Sequence, residues 1–284
     1  MSVSMNMIEV EFVKISPTQN MTILVTSPVA RERQAEIAKK IMAYDSVHGE
    51  QVGFVEKPGD PNALARLQMA GGEFCGNASL ALCAYLVWKG ALPCPAQGSV
   101  SVPIEASGAG DILRCEITRK AGFFLGKLNM PAPDSVKHFD AEIEGASYSL
   151  PVVHLPGISH VIAETKTLKI DKNLFAEKLI EHCDVFTKEE AFGIMFYDSA
   201  SCAIEPFVYV KTVGTRVWER GCGSGTAALG AYLASLAGGS VTADVAQPGG
   251  VITVGVTVND GKITGVSIQG KIEIAAWGKA LVDL

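Results

Sequence analysis

Two cysteines stand at matching positions of a repeated sequence. Residues 75–86 read CGNASLALCAYL and residues 222–233 read CGSGTAALGAYL, so that seven of the twelve positions are identical. Both stretches are rich in alanine and leucine, which favour helix, and small residues follow each cysteine directly. The pattern therefore predicts two related helices, one beginning at Cys75 and the other at Cys222.

The start of a helix can change the chemistry of a thiol. The first N–H groups of a helix lack partners within it, and with the helix dipole they stabilise a negative charge. A cysteine at this position can have its pKa drawn below the usual value of about 8.5. A single buried cysteine is usually a core residue. Two at equivalent positions favour a shared chemical role, whereas Cys83, whose counterpart is Gly230, is predicted to be core.

Two thiols that exchange protons predict the inversion of a carbon centre. One thiolate removes a proton from one face while the other thiol delivers a proton to the opposite face, and the two helix starts stabilise charge that develops on a neighbouring carboxylate. We therefore predict an isomerase of small-molecule amino acids, with Cys75 and Cys222 as catalytic residues and no cofactor. No C-x-x-C pair indicates zinc, and no metal is expected.

Two other classes of protein stay open on these residues alone. One is a protein that binds amino acids without catalysis, and the other is a pyridoxal-dependent racemase. No lysine stands in a motif that suggests a Schiff base. Exchange of the substrate's α-proton would separate the first class from an enzyme, and a visible absorption band would identify the second.

Composition excludes several partners. The net charge of −6 argues against nucleic acid, and no run of about 18 apolar residues predicts a membrane span. Residues 1–15 lack the pattern of a secretory signal, and seven scattered cysteines do not resemble a disulfide framework. We expect a cytoplasmic protein, and a homodimer is left open.

Short apolar runs predict a chain dominated by strands. Strands are expected at 9–15, 21–27, 51–57, 65–70, 98–106, 111–118, 151–155, 160–164, 192–198, 202–211, 250–258 and 261–270. Further helices are expected at 30–44 and at 171–183, the second capped by Asp171. The Asp-Gly pair at 260–261 predicts a hairpin turn, and 127–135 is expected to be a linker.

The repeat and the chain length together predict a duplicated fold. A chain of 284 residues suggests two domains, and the two cysteine motifs lie about half a chain apart. We predict an α/β (α+β) protein of two pseudo-symmetric domains, each a β-barrel-like sheet around a central helix. Residues 1–131 with about 273–284 would carry Cys75, and residues 132–272 would carry Cys222.

Three motifs resemble the diaminopimelate epimerase superfamily of cofactor-independent racemases and epimerases. They are SPTQNMTILV at 16–25, CGNA at 75–78 and WERGCGSGT at 218–226, the last without about six residues that usually precede the second cysteine. The resemblance spans the chain and implies the same fold and two-cysteine chemistry. Within the superfamily the chain most resembles histidine racemases that supply D-histidine for staphylopine-type metallophores. The shared stretches are NMTILV (20–25), EQVGF (50–54), EFCGNA (73–78), CGSGTA (222–227) and QPGG (247–250).

The resemblance implies a set of substrate contacts. The α-amino and α-carboxylate groups are expected at Asn20, Gly76, Asn77, Gly223 and Ser224. The superfamily's substrate-contacting Glu-Arg pair matches Glu219 and Arg220. Glu50 or Glu73 is expected to face the imidazole or the amine, and His160 is a further candidate partner. The alternatives are structural: a turn at Asn20, a helix cap at Ser224, a surface ion pair at 219–220 and a structural histidine. QPGG is expected to be only a turn.

Two departures from diaminopimelate epimerases concern the distal end of the substrate. Ile158 and Gly193 stand where those enzymes place asparagines. A charged distal end would lose its partners there, whereas a flat, partly apolar ring would have room. This favours histidine. Another amino acid, a broad substrate range including diaminopimelate, and a phenazine-biosynthesis-type isomerase stay open, although the last lacks a second thiol.

Overall fold

The computed structural model describes residues 7–211 and 214–283, and within them the protein is a sheet-dominated α+β fold. The first six residues of the segment 1–15 and the outer ends of the predicted domains lie outside the described residues. The strands are β1 (Met7–Pro17), β2 (Thr22–Val25), β3 (Gln51–Glu56), β4 (Arg66–Met69), β5 (Val100–Ala106), β6 (Leu113–Arg119), β7 (Phe124–Met130), β8 (Ser135–Ile143), β9 (Ala146–Leu155), β10 (Ile158–Glu164), β11 (Ala191–Asp198), β12 (Ala203–Val210), β13 (Thr215–Trp218), β14 (Val241–Gln247), β15 (Gly250–Asn259) and β16 (Lys262–Asp283). The helices are α1 (Arg31–Ile41), α2 (Gly76–Trp88), α3 (Lys172–Glu181), α4 (Cys183–Phe186) and α5 (Gly223–Ala237).

The chain forms two compact units. Met1–Leu128 and Gly270–Leu284 make up the first unit, and Asn129–Gln269 makes up the second. Each unit carries one of the two cysteine-led helices.

The first unit surrounds α2 with strands. Its order runs from β1 to β7, with β2–β3 and β4–β5 parallel, and the second half of β16 pairs antiparallel with β1. Helix α2 contacts all six strands from β1 to β6. Because each of its residues from Gly76 to Val87 is buried, the uniformly apolar sequence of this helix is explained by its central position.

The second unit repeats this pairing pattern around α5. Its strand order is β15-β14-β12-β11-β10-β9-β8, with β10–β11 and β12–β14 parallel. Helix α5 contacts β8, β9, β10, β11, β14 and β15. The sequence predicted that α5 is buried on every face, but its last turns are not. Tyr232 and Leu233 are half-buried, and Leu236 is exposed.

The structure corrects the predicted linker. Residues 124–130 form β7, in which Phe124, Gly126, Leu128 and Met130 are buried in alternation, and only 131–134 lie outside a strand. The predictions also missed β8, β13 and β14. The Asp171 cap is confirmed, since its carboxylate accepts the Asn173 N–H at 2.8 Å.

The hairpin turn is confirmed as well. Asp260 and Gly261 adopt φ values of 50° and 71° between β15 and β16. Both values lie in the left-handed region that a type I′ turn requires. Within the described residues, no helix has the length and apolar character needed to cross a membrane.

Candidate active site

Helix α2 begins at Cys75, and the thiol itself caps the helix. Cys75 has an extended backbone (φ −134°, ψ 113°), and its Sγ accepts the N–H of Ala78 at 3.4 Å. Its carbonyl accepts the N–H of Ser79 at 3.0 Å and the Ser79 hydroxyl at 2.8 Å. The predicted helix start is therefore confirmed, and the sulfur lies against the positive end of the helix.

Helix α5 repeats this geometry at Cys222. The backbone is again extended (φ −116°, ψ 107°), and Sγ accepts the N–H of Gly225 at 3.3 Å. The Cys222 carbonyl accepts the N–H of Thr226 at 3.0 Å and its hydroxyl at 2.6 Å. Thr226 occupies the repeat position of Ser79, so both units hold the cysteine carbonyl with a hydroxyl. Cys222 is buried, whereas Cys75 is partly exposed.

A chain of side-chain hydrogen bonds leads to Cys75. The thiol donates to Gln51 Oε1 at 3.1 Å, and Gln51 Nε2 donates to Asn20 Oδ1 at 2.6 Å and to Thr22 Oγ1 at 2.7 Å. Asn20 Nδ2 in turn donates to Glu50 Oε2 at 2.8 Å. The structure thus brings the predicted residues Asn20 and Glu50 together with Cys75. It also adds Gln51, which sequence reasoning missed although Gln51 lies in the EQVGF stretch.

The order of donors and acceptors fixes how the Gln51 amide is oriented. A carboxylate only accepts hydrogen bonds, so Glu50 accepts one from the Asn20 amide nitrogen. The Asn20 oxygen must then face Gln51, which turns the Gln51 nitrogen toward Asn20 and its oxygen toward the Cys75 thiol. The proton of Cys75 therefore points in a defined direction.

The remaining predicted residues of the first unit lie at the same helix start. Gly76 and Asn77 are the first two residues of α2, and both are buried. Asn20 is also buried, and its N–H donates to the Pro17 carbonyl at 2.9 Å across a turn in which Thr18 and Gln19 have φ values of 47° and 60°. The turn alternative for Asn20 is therefore correct for its backbone, while its side chain belongs to the hydrogen-bond chain.

Cys222 has a different set of neighbours. Ser224 Oγ lies 3.6 Å from its Sγ, and Ser224 Oγ is 3.0 Å from His160 Nε2. Burial raises the pKa of the Cys222 thiol well above its usual value, and the charge and hydrogen bond of Glu219 raise it further. The expectation of a lowered thiol pKa is wrong for Cys222, because burial and Glu219 outweigh the Ser224 hydroxyl and the Gly225 N–H.

His160 is a fully buried imidazole. Burial lowers its pKa to about 3, so it is neutral near pH 7. Its Nδ1 has no hydrogen-bond partner among the described residues, and a Cβ added at Gly193 would overlap that nitrogen. The space beside Gly193 is therefore filled by the protein's own imidazole. The expectation that Gly193 leaves room there for the substrate ring is wrong.

The QPGG stretch contacts the segment that leads to Cys222. Gln247 Oε1 accepts the Cys222 N–H at 2.7 Å, and Gln247 Nε2 donates to Thr226 Oγ1 at 2.7 Å. The Gly249 N–H donates to the Arg220 carbonyl at 2.6 Å, and Arg220 Nη2 donates to the Pro248 carbonyl at 3.0 Å. The stretch is a turn, as predicted, but its contacts to Cys222 were not foreseen.

The second unit therefore brings Ser224 and Glu219 to Cys222, with His160 behind Ser224 and Gly223 as the first residue of α5. Arg220 contacts the turn at Pro248 and Gly249. Cys83 is buried in α2, which confirms the core prediction. Among the residues that the structure describes, no group of three or more His, Cys, Asp or Glu side chains is placed to hold a metal ion.

Comparison with known proteins identifies the class and then the family. The fold matches that of a probable proline racemase from Agrobacterium radiobacter with a TM-score of 0.70 and 15% identity, covering 95% of this chain and 92% of the other. A histidine racemase of Fusobacterium nucleatum is 33% identical over 278 residues, 96% of each chain, and one of Staphylococcus aureus is 29% identical over 283 residues, 98% of this chain and 100% of the other. The protein is an isomerase of the racemase class. The family described as "Histidine racemase CntK N-terminal domain" matches residues 9–281, and the chain belongs to this histidine racemase family.

Proposed function

We propose that this protein interconverts L- and D-histidine without a cofactor, with Cys75 and Cys222 as the two acid–base groups. The observation that carries the proposal is the repeated geometry of the thiols. Each sulfur accepts an N–H from the first turn of the helix that it begins, at 3.4 Å and at 3.3 Å. The relatives that match nearly the whole chain are named histidine racemases, which supports histidine as the substrate.

The proposed reaction moves two protons and changes no other bond. One thiolate takes the α-proton and becomes a thiol, and the electron pair left on the α-carbon spreads into the substrate carboxylate. The thiol of the other cysteine then gives its proton to the opposite face and becomes a thiolate. The same groups exchange roles in the reverse direction.

The neighbours of Cys222 support a protonated Cys222 thiol at the start of the reaction in one of its two directions. Burial and Glu219 both raise the pKa of its thiol, so Cys222 begins as the acid when Cys75 acts as the base. The first N–H groups of α2 and α5 would stabilise the substrate carboxylate as charge develops on it. Gly76, Asn77, Gly223 and Ser224 occupy these helix starts.

The two compact units support a finer description of the fold. We propose that they are the two pseudo-symmetric domains predicted from the sequence, at 1–131 with about 273–284 and at 132–272, each with a barrel-like sheet around its helix. The repeated order of parallel and antiparallel pairs supports this, as do the six strands contacted by each helix. A diaminopimelate epimerase-like architecture, a cytoplasmic location, a homodimer and a role in metallophore synthesis stay predictions.

Proton exchange in heavy water tests the proposal. L-histidine and D-histidine should each gain deuterium at the α-carbon and lose optical purity, and dialysis against a chelator and hydroxylamine should leave the rate unchanged. Cys75→Ser and Cys222→Ser should each lower the rate by about 10²- to 10⁴-fold, because a serine hydroxyl is too weak an acid to replace a thiol.

A matched control is Cys94→Ser, which changes a partly exposed cysteine away from both helix starts and should keep the wild-type rate. A near wild-type rate in either helix-start variant, with circular dichroism showing a folded protein, would contradict the two-thiol mechanism.

A further inference from the structure

We propose that Gln247, together with the turn that it begins, is a positioning element that fixes Cys222 for proton transfer. The inference rests on the proposed function, because it takes Cys222 to be one of the two acid–base groups. Gln247 does not contact the sulfur. It binds the backbone of the cysteine, so its effect on the reaction is indirect.

The turn after β14 holds the chain before α5 at three points. Gln247 Oε1 accepts the Cys222 N–H at 2.7 Å, the Gly249 N–H donates to the Arg220 carbonyl at 2.6 Å, and Arg220 Nη2 donates to the Pro248 carbonyl at 3.0 Å. Three consecutive residues of the turn therefore bind the short segment 220–222.

Gln247 also closes a hydrogen-bond ring around Cys222. Its Nε2 donates to Thr226 Oγ1 at 2.7 Å, and that hydroxyl donates to the Cys222 carbonyl at 2.6 Å. The carbonyl can only accept and the hydroxyl has one proton, so Thr226 must accept from the amide nitrogen. The amide oxygen then faces the Cys222 N–H. Only this orientation of the Gln247 amide gives every donor in the ring an acceptor. The ring therefore holds both the N–H and the carbonyl of Cys222 in place.

Burial makes this ring sensitive to change. Gln247, Thr226 and Cys222 are 9%, 0% and 3% exposed. A buried polar group that loses its partner is costly. An apolar replacement of Gln247 would remove the acceptor of the Cys222 N–H and the donor to Thr226 Oγ1. The cysteine backbone, and with it the direction of Sγ, would then shift.

The first unit holds its cysteine differently. The Ser79 hydroxyl donates to the Cys75 carbonyl, as the Thr226 hydroxyl does to that of Cys222. The glutamine of the first unit, Gln51, instead contacts the sulfur. Gln247 binds the Cys222 backbone, and other residues surround the Cys222 sulfur. These are Glu219 from the preceding segment, Ser224 with His160 of β10 behind it, and the Gly225 N–H.

Gln247→Met tests the inference, because methionine keeps the length of the side chain and removes both hydrogen bonds. Two quantities are measured: kcat and KM for histidine, and the pH dependence of Cys222 alkylation by iodoacetamide in the Cys75→Ser background. We expect kcat to fall by about tenfold or more with KM within about threefold, because misplacing a reacting group mainly slows chemistry. The alkylation midpoint should move to lower pH by about half a unit, because a loosened thiol loses part of its burial.

Two further variants keep the test decisive. Thr226→Val removes the hydroxyl from the same ring and should reproduce both effects. It replaces Gln247→Met in the test if that variant folds poorly. Thr253→Val removes a hydroxyl that donates to Asp244 at 2.6 Å in the same β14–β15 hairpin, and it should change neither quantity.

Three results would overturn the inference: a kcat within about twofold of wild type, a loss of kcat with an unchanged alkylation midpoint, or an equal loss in Thr253→Val. Failure of the proposed function is recognised separately. In that case the wild-type protein does not racemise histidine, and the alkylation comparison still reports whether Gln247 positions the thiol.

Discussion

The two cysteines have matching backbones but different chemical surroundings. The Cys75 thiol donates a hydrogen bond to the neutral amide of Gln51, whereas burial and the carboxylate of Glu219 raise the pKa of the Cys222 thiol. A racemase with an equilibrium constant of one does not require identical groups on its two faces. The proposed mechanism requires only that each thiol can both accept and donate a proton, which two unlike environments allow.

Gln51→Leu should test the amide at Cys75. Leucine has a similar size but offers no acceptor to the thiol and no donor to Asn20 or Thr22, so the thiol loses its defined direction. We expect kcat for α-proton exchange to fall by about tenfold or more. Gln68→Leu, a half-buried glutamine on β4, is the control and should keep the wild-type rate. Equal rates in the two variants would remove Gln51 from the site.

His160 predicts a specific dependence of stability on pH. Burial lowers the pKa of this histidine to about 3. Below about pH 6.5 the unfolded chain binds a proton here and the folded chain does not, so stability falls as the pH drops toward 3, by up to about 1.4 kcal/mol per unit. His160→Gln removes this term, so its unfolding free energy should vary less steeply with pH than that of wild type.

Urea unfolding between about pH 4 and pH 7 measures this difference. Carboxylates and His154 also change stability with pH, but they are present in both proteins and cancel in the comparison. His48→Gln, which makes the same replacement at an exposed histidine, is the matched control and is measured in the same way. An unchanged slope in His160→Gln would show that the imidazole is not held neutral in the folded protein.

At the scale of elements, the sequence pattern predicted the two repeated helices but missed strands and side-chain contacts that depend on packing. Helices α2 and α5 could be predicted because their uniformly apolar sequences require burial. Strand β7 was mistaken for a linker because its prolines lie just beyond it, and β14 was missed because VTADVAQ is only half apolar. The site residues Gln51 and Gln247 could not be assigned roles, since a glutamine has no preferred place until its neighbours are known.

Gly225→Ala should disturb α5 through its neighbour on β11. The repeat position in α2 is Ala78, so the helix itself accepts a Cβ there. At Gly225 the added Cβ would overlap the end of Met195, which is fully buried, and would lie 3.1 Å from Cys222 Sγ. Overpacking of this kind costs about 1–3 kcal/mol. Urea unfolding should show the loss.

Met195→Val removes the overlapping atoms and provides the matched partner. In a double-mutant cycle, Gly225→Ala and Met195→Val should together cost less than the sum of their separate costs. Strict additivity would mean that Met195 does not limit the space at Gly225.

At the scale of the whole molecule, sequence resemblance and fold carry different information. The family match and the relatives place the chain in the histidine racemase family, while the structural match to a probable proline racemase at 15% identity shows the fold alone. The sequence correctly indicated a racemase because the two cysteine motifs repeat. It could not indicate what fills the space beside Gly193, because the imidazole there comes from a different strand.

The substrate range is the prediction that belongs to this scale. Ile158 packs against the apolar cluster of Val153, Leu155, Ala228 and Ala231, and the space at Gly193 is filled by His160. Ile158 offers no hydrogen-bonding group, and the single Nδ1 of the neutral His160 imidazole at Gly193 cannot pair with both charges of a second amino-carboxylate group. Meso-diaminopimelate would therefore leave charges unsatisfied, at a cost of about 1–3 kcal/mol or more. At 1.36 kcal/mol per tenfold in rate, that is a loss of about fivefold to more than a hundredfold relative to histidine.

Chiral chromatography of histidine, meso-diaminopimelate, alanine and serine, at equal enzyme concentration, measures this range. L- and D-histidine should turn over fastest, because an imidazole needs only one or two hydrogen-bond partners and Glu50 is an exposed carboxylate beside the Cys75 site. Glu50→Gln keeps an acceptor for Asn20 but removes the charge, so it should weaken histidine more than alanine if the carboxylate binds the ring. Turnover of diaminopimelate equal to that of histidine, or of alanine or serine far above it, would contradict histidine as the substrate while leaving the two-thiol mechanism intact.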